Sequence, residues 1–154
     1  VNDIFGTSID YDPRTNFTKE FYATMQNKFH YAITGHTAAE LVVDRIGGAK
    51  EHLGMTNWKG AEPTRKEAEV AKNYMLETEL RQLYLLVEQF LSFAEFQIER
   101  KNIMHMKDWV EYLHEMLKAN RLEVLSGKGN ISHEKMEGIV KEEMRKFVEQ
   151  KRLK

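Results

Sequence analysis

Seven polar side chains crowd one stretch of this chain: Asn27, Lys28, His30, His36, Thr37, Glu40 and Arg45, on either side of Gly35. Histidine is a ready general base near neutral pH. A helix N-terminus offers free amides and a partial positive charge, which suit phosphate or carboxylate ligands. A His-bearing helix end facing the start of the next helix would thus pair a base with an anion hole. On that reading His30 and Glu40 are the catalytic candidates, and Asn27, Lys28, Thr37 and Arg45 the binding ones. The plainer reading is a helix–turn–helix corner whose polar groups only cap and pair with each other.

A second line of polar groups lies in Leu80–Arg100, LRQLYLLVEQFLSFAEFQIER. Glu88, Ser92, Glu95 and Glu99 recur at spacings of four, three and four, one stripe of a helix. The stripe is either a solvated edge or a polar site on a core helix, where a buried carboxylate needs a partner. Glu95 and Glu99 join the binding candidates, with Lys28 or Arg45 as offsetting charges. Asp10 and Asp12 flank Tyr11 before Pro13, a cation-site spacing but also ordinary turn chemistry. His105, His114 and His133 have no convincing ligand set at i+3 or i+4. Trp58, Trp109 and the Met residues read as anchors and core filler, and Lys72-Asn73-Tyr74 as a surface patch. GxxxxGK[ST], GxSxG, HExxH and GxGxxG are absent. No metal site and no cofactor are expected.

The elements that must position these groups are helices. In Leu80–Arg100, apolar residues at 80, 83, 84, 87, 91, 94 and 98 mark one face. Leu85, Leu86, Phe90, Phe93 and Phe96 make most of the rest apolar, so this stretch is expected to be a central helix buried on several sides. Leu91→Asp would then unfold the protein. Residues 17–34 form a first helix, capped by Asn16 or Thr18 and ended by Gly35. Thr37 and Glu40 form a capping box that opens a second helix, through about Ile46. Residues 47–63 are irregular, too long for an idle connection. Thr64 and Glu67 form another capping box, for a helix to about Leu76. Helices follow over 106–120 and from Ser132 to the basic end, Lys151 to Lys154. Residues 1–16, with Gly6 and Pro13, read as an extended arm pinned by Ile4, Phe5, Ile9 and Tyr11. The expected fold is all-α: one domain over 1–154, an irregular helical bundle around a central buried helix.

The chain has 154 residues, 23 basic and 24 acidic, and no cysteine. The near-zero net charge gives no support to a nucleic-acid-binding surface. Lack of cysteine excludes disulfides and thiolate metal sites. No apolar run approaches the ~18 residues of a membrane span, and no signal peptide is visible. A cytoplasmic location and no membrane partner are expected. The first residue is Val, as expected of a piece of a longer chain.

The run Asp3-Ile-Phe-Gly-Thr-Ser-Ile-Asp-Tyr-Asp-Pro13 resembles the C-terminal region of the bacterial RhuM virulence-protein family. So do Phe21-Tyr-Ala-Thr-Met-Gln-Asn-Lys-Phe-His30 and Gly35-His-Thr-Ala-Ala-Glu40, with shorter matches at Ala71–Tyr74, Ala94-Glu95, Glu99-Arg100 and Met106–Trp109. The resemblance covers most of residues 3–150. It implies a bacterial intracellular or host-directed protein whose full-length relatives carry an upstream DNA-binding-like segment, and it implies no activity. Nucleic acid would be contacted only through that upstream part. A more distant similarity is to the Fic/Doc pattern HxFx[DE]GNx[KR]: His30 and Gly35 match. Ala32, Thr34, His36 and Ala38 replace the Phe, the acidic metal ligand, the Asn and the basic phosphate clamp. What it implies is shared architecture around His30. Two functional classes follow: a protein-interaction or oligomerisation module, or an enzyme or inactive remnant centred on His30. A module would expose an apolar patch of several hundred Å².

Overall fold

The computed structural model describes residues 2–153, so Lys154 of the basic tail lies outside them. Among the described residues there are helices and turns and no strand. The fold is all-α, as the periodicity requires. The helices are α1 (Asn2–Phe5), α2 (Asn16–Thr34), α3 (Ala38–Arg45), α4 (Arg65–Ala68), α5 (Glu77–Glu99), α6 (Met106–Ala119) and α7 (His133–Arg152). Two single 3₁₀ turns, Glu51–Gly54 and Ala71–Tyr74, lie between α3 and α5. The chain forms two compact units, each made of two separate segments: Val1–Gly35 with Arg81–Leu125, and His36–Leu80 with Ser126–Lys154.

The first unit is an aromatic core. Phe90 is fully buried, with its ring near those of Phe5, Phe29, Trp109 and Tyr112. Phe5 meets Phe21 edge-on at 4.8 Å, a favoured geometry for rings with a negative face and a positive edge. The buried Trp109 donates its indole N–H to Ser8 Oγ at 2.8 Å, satisfying its one donor. Residues 1–16 differ from the expected arm. The described part begins with the helical turn α1, and Ile4 and Phe5 are buried while Ile9 is exposed. Asp10 accepts from the Met106 amide, and Asp12 pairs with Arg14, so the two carboxylates serve a helix start and a turn. The α2 cap is Thr15, whose hydroxyl accepts from the Thr18 amide. That places Asn16 inside the helix. Gly35 ends α2 with φ +78°.

The second unit packs α3, α4 and the two 3₁₀ turns with α7. Leu41, Val42, Leu53, Met75 and Val140 are buried there. Both capping boxes form: Thr37 with Glu40 and Thr64 with Glu67. The helix expected from Thr64 to Leu76 is broken. It stops at Ala68, and Val70 is extended before the Ala71–Tyr74 turn. The buried Tyr74 hydroxyl donates to the freed Ala68 carbonyl at 2.6 Å, and Asn73 donates to the Glu67 carbonyl. The Tyr74 hydroxyl thus satisfies a carbonyl that a continuous helix would have used itself, and Asn73 adds to one that already accepts from the Val70 amide. Asn73 and Tyr74 are structural there, while Lys72 is exposed as expected.

The α5 helix is the longest, and burial on several sides is not what it shows. Leu83, Leu86, Phe90 and Ala94 are buried, at spacings of three, four and four. Leu91 is only half-buried, so an aspartate there reaches water. Tyr84, Leu85, Phe96 and Ile98 are exposed.

Candidate functional site

The residues flanking Gly35 fall in both units, and within each unit their roles are specific. In the first, Lys28 is 6% exposed, and its ammonium donates to the Leu125 carbonyl at 2.9 Å. No carboxylate forms an ion pair with it among the described residues. Burial pulls its pKa below the usual lysine value, as expected where the charged form loses water. His30, two residues on, is also buried, and Asn27 is half-buried. His114 also titrates below its usual range, from burial first and then from the nearby Lys28 and Lys118 charges.

In the second unit Glu40 works as a brace. Its Oε1 accepts from the Thr37 amide at 2.9 Å and its Oε2 from the Asn130 amide at 2.6 Å. Burial opposes its ionisation, but those amide bonds and the nearby His36 outweigh it and hold the pKa low. Arg45 makes a two-bond fork with Glu79 at 2.6 and 2.7 Å and donates to the Tyr74 carbonyl at 3.0 Å. Thr37, Glu40 and His36 therefore gather around the α3 start, while Arg45 is committed to Glu79, a residue the spacing does not single out.

The Glu79 carboxyl is held below 4.5, chiefly by the Arg45 hydrogen bonds, against burial, with help from the Leu76 amide. A depressed carboxylate pKa adds stability above its unfolded value, and that stability is lost as pH falls through the folded value. Glu79→Gln is accordingly expected to flatten the acid limb of a stability–pH curve below about pH 5. At neutral pH it should cost about 2 kcal/mol, because it strands a partly buried guanidinium. Urea midpoints at neutral pH and near pH 3 check both.

A group the sequence reading missed occupies the loop after α3. His52 (φ +48°), Leu53 (φ +60°) and Gly54 (φ +84°) are consecutive left-handed residues. The His52 ring lies on Trp58 with centroids 4.3 Å apart, and its nitrogens face Glu51 and Glu62 at 3.6 Å. Lys151 pairs with Glu62. Beside them is an open cleft of about 450 Å³ reaching Phe147 and Gln150. Only the Gly-rich composition hinted at this loop, because the contacts to α7 join residues about ninety apart. His133 also has the helical partner that the sequence reading denied it: Nε2 lies 3.0 Å from Glu137 Oε1, four residues on.

The outer face of α5 is accessible. Tyr84 is 60% exposed, Phe96 59%, Leu85 52% and Ile98 40%. On a 3.6-residue helix Glu88, Ser92, Glu95 and Glu99 form one line, opposite the buried Leu83, Leu86, Phe90 and Ala94. Tyr84, Leu91 and Ile98 flank that line on one side, and Leu85 and Phe96 on the other. Glu88, Glu95 and Glu99 are exposed and form no ion pair among the described residues. The solvated-edge reading of the stripe therefore describes its surroundings. Arg100 stands 5.8 Å over the Phe96 ring.

An all-α chain with an acidic, apolar-flanked outer helix face is the class that fold and site define. A family model described as the virulence protein RhuM family matches residues 1–154. The chain belongs to the RhuM virulence protein family, and that membership points to a virulence-associated role. No curated protein and no solved structure matches the chain. Among the described residues no helix is long and apolar enough to cross a membrane.

Proposed function

We propose that this chain is a protein-interaction module whose α5 face captures a basic amphipathic helix of a partner protein. The observation that carries the reading is the exposure of Tyr84, Leu85, Phe96 and Ile98 around the Glu88, Glu95 and Glu99 line. Aromatic and aliphatic side chains left in water on one helix face favour burial by a partner. The acidic line at the centre selects its chemistry: a helix with a row of Lys or Arg between two apolar rows. Such a partner meets charge with charge and apolar rows with apolar rows. A second copy of the same face would set carboxylates against carboxylates, which disfavours self-pairing.

The test uses two synthetic helical peptides, one with a lysine row between leucine rows and one with glutamate in place of lysine. The parent protein is expected to bind the lysine peptide. The triple variant Glu88→Lys, Glu95→Lys, Glu99→Lys should lose at least about tenfold in affinity for it and prefer the glutamate peptide. Phe96→Asp should weaken both. A triple variant that binds the lysine peptide as the parent does would sink the reading. Light scattering that shows a parent dimer dissolved by Phe96→Asp would assign the face to a second copy instead.

A further inference from the structure

We infer that the second unit carries a binding site for a divalent transition metal, formed by Glu69, His133 and Glu137. Each offers one ligand atom, and the three atoms lie within 4.8 Å of one another. They come from two places in the chain. His133 and Glu137 sit one turn apart at the start of α7, and Glu69 is the residue that caps the C-terminus of α4. α4 packs on α7, so the backbone that carries the ligands is set before any ion arrives. Ser132 fixes the α7 start by accepting from the Lys135 amide at 3.1 Å.

Ligands bound to zinc at about 2.0–2.2 Å stand roughly 3.3–3.6 Å apart in a tetrahedron. His133 Nε2 and Glu137 Oε1, at 3.0 Å, already approach that separation. The remaining closure, of about 1 Å, needs only rotation of glutamate side chains. The Glu69 and Glu137 side chains are partly exposed and that of His133 largely so, which leaves them room to turn. Arg65 competes for Glu69, with Nε 3.6 Å from Oε1. A carboxylate has two oxygens, so Arg65 can keep one while the other binds the ion. One imidazole and two carboxylates suit Zn²⁺, Co²⁺ or Mn²⁺ and give Mg²⁺ no advantage over its own water. Three protein ligands also leave a position open to solvent. A bound ion would tie the segment after α4 to α7.

Calorimetry with ZnCl₂ and with MgCl₂, alongside thermal melts of the whole chain, tests the site. One Zn²⁺ per chain is expected, with the melting temperature raised by about 5–10 °C at a hundredfold excess over Kd. Mg²⁺ should do neither. His133→Ala and Glu137→Gln should each abolish the zinc shift while keeping the metal-free melting temperature within about two degrees of the parent, since both residues lie outside the core. His52→Ala, which removes a different, half-buried imidazole of the same unit, should keep the zinc shift. No zinc binding by the parent, or an undiminished shift in His133→Ala, overturns the assignment.

Discussion

Replacing Phe90 by Ala lowers the unfolding free energy by about 3–5 kcal/mol, the range for removing a fully buried phenyl ring. Phe90 lies within 6.2 Å, centroid to centroid, of the rings of Phe5, Phe29, Trp109 and Tyr112. Those rings come from α1, α2 and α6, so no single neighbour can shift to fill the space. The adjacent Leu91→Asp, by contrast, puts its carboxylate toward water and should cost only about 1–2 kcal/mol. Urea unfolding of the two variants fixes the rotation of α5 about its axis. Equal losses would mean that the buried and outer faces are misassigned, and the interaction face would fall with them.

Gly54→Ala is the second large effect, expected to lower the melting temperature by roughly 10 °C, or about 3 kcal/mol. Two causes add. Gly54 has φ +84°, and a Cβ there would lie 2.5 Å from the Arg45 carbonyl oxygen. A backbone oxygen at the end of α3 cannot swing aside as a lysine tip can. Gly35→Ala is the control, because φ is +78° but nothing lies within 4 Å of the added Cβ. It should cost only the left-handed penalty of about 1–2 kcal/mol. Similar melting temperatures for the two variants would mean that the His52–Leu53–Gly54 turn is not held as described.

The helices were legible where local chemistry decides them. Thr37 with Glu40, Thr64 with Glu67, Ser132 and Gly35 act within one helical turn, and all four mark the ends expected of them. Burial of α5 was legible only in part. Periodicity finds Leu83, Leu86, Phe90 and Ala94, but it cannot say that Tyr84, Leu85, Phe96 and Ile98 are left exposed. The break after Ala68 depends on the Tyr74 hydroxyl and Asn73 taking up carbonyls, which no propensity encodes. Among the candidate polar residues, Glu40 was legible as a capping side chain. Its second bond to Asn130 and the Arg45–Glu79 fork join distant parts of the sequence and leave no local trace. His133 and Glu137 could be read as a helical pair, but Glu69 could not be added without the packing of α4 on α7.

The interleaving of the two units has a consequence on the ribosome. Synthesis delivers residues 36–80 long before Ser126–Lys154, the segment that completes their unit. Until α7 emerges, α3, α4 and the Glu51–Gly54 turn lack part of the surface they pack on. The first unit waits less, closing once Leu125 is out, while the second segment of the other is still pending. No single cut in the gene separates the two, since each contiguous piece that holds one unit whole also carries a stranded segment of its neighbour. A nascent chain stalled before α7 is therefore the species most exposed to proteases and chaperones.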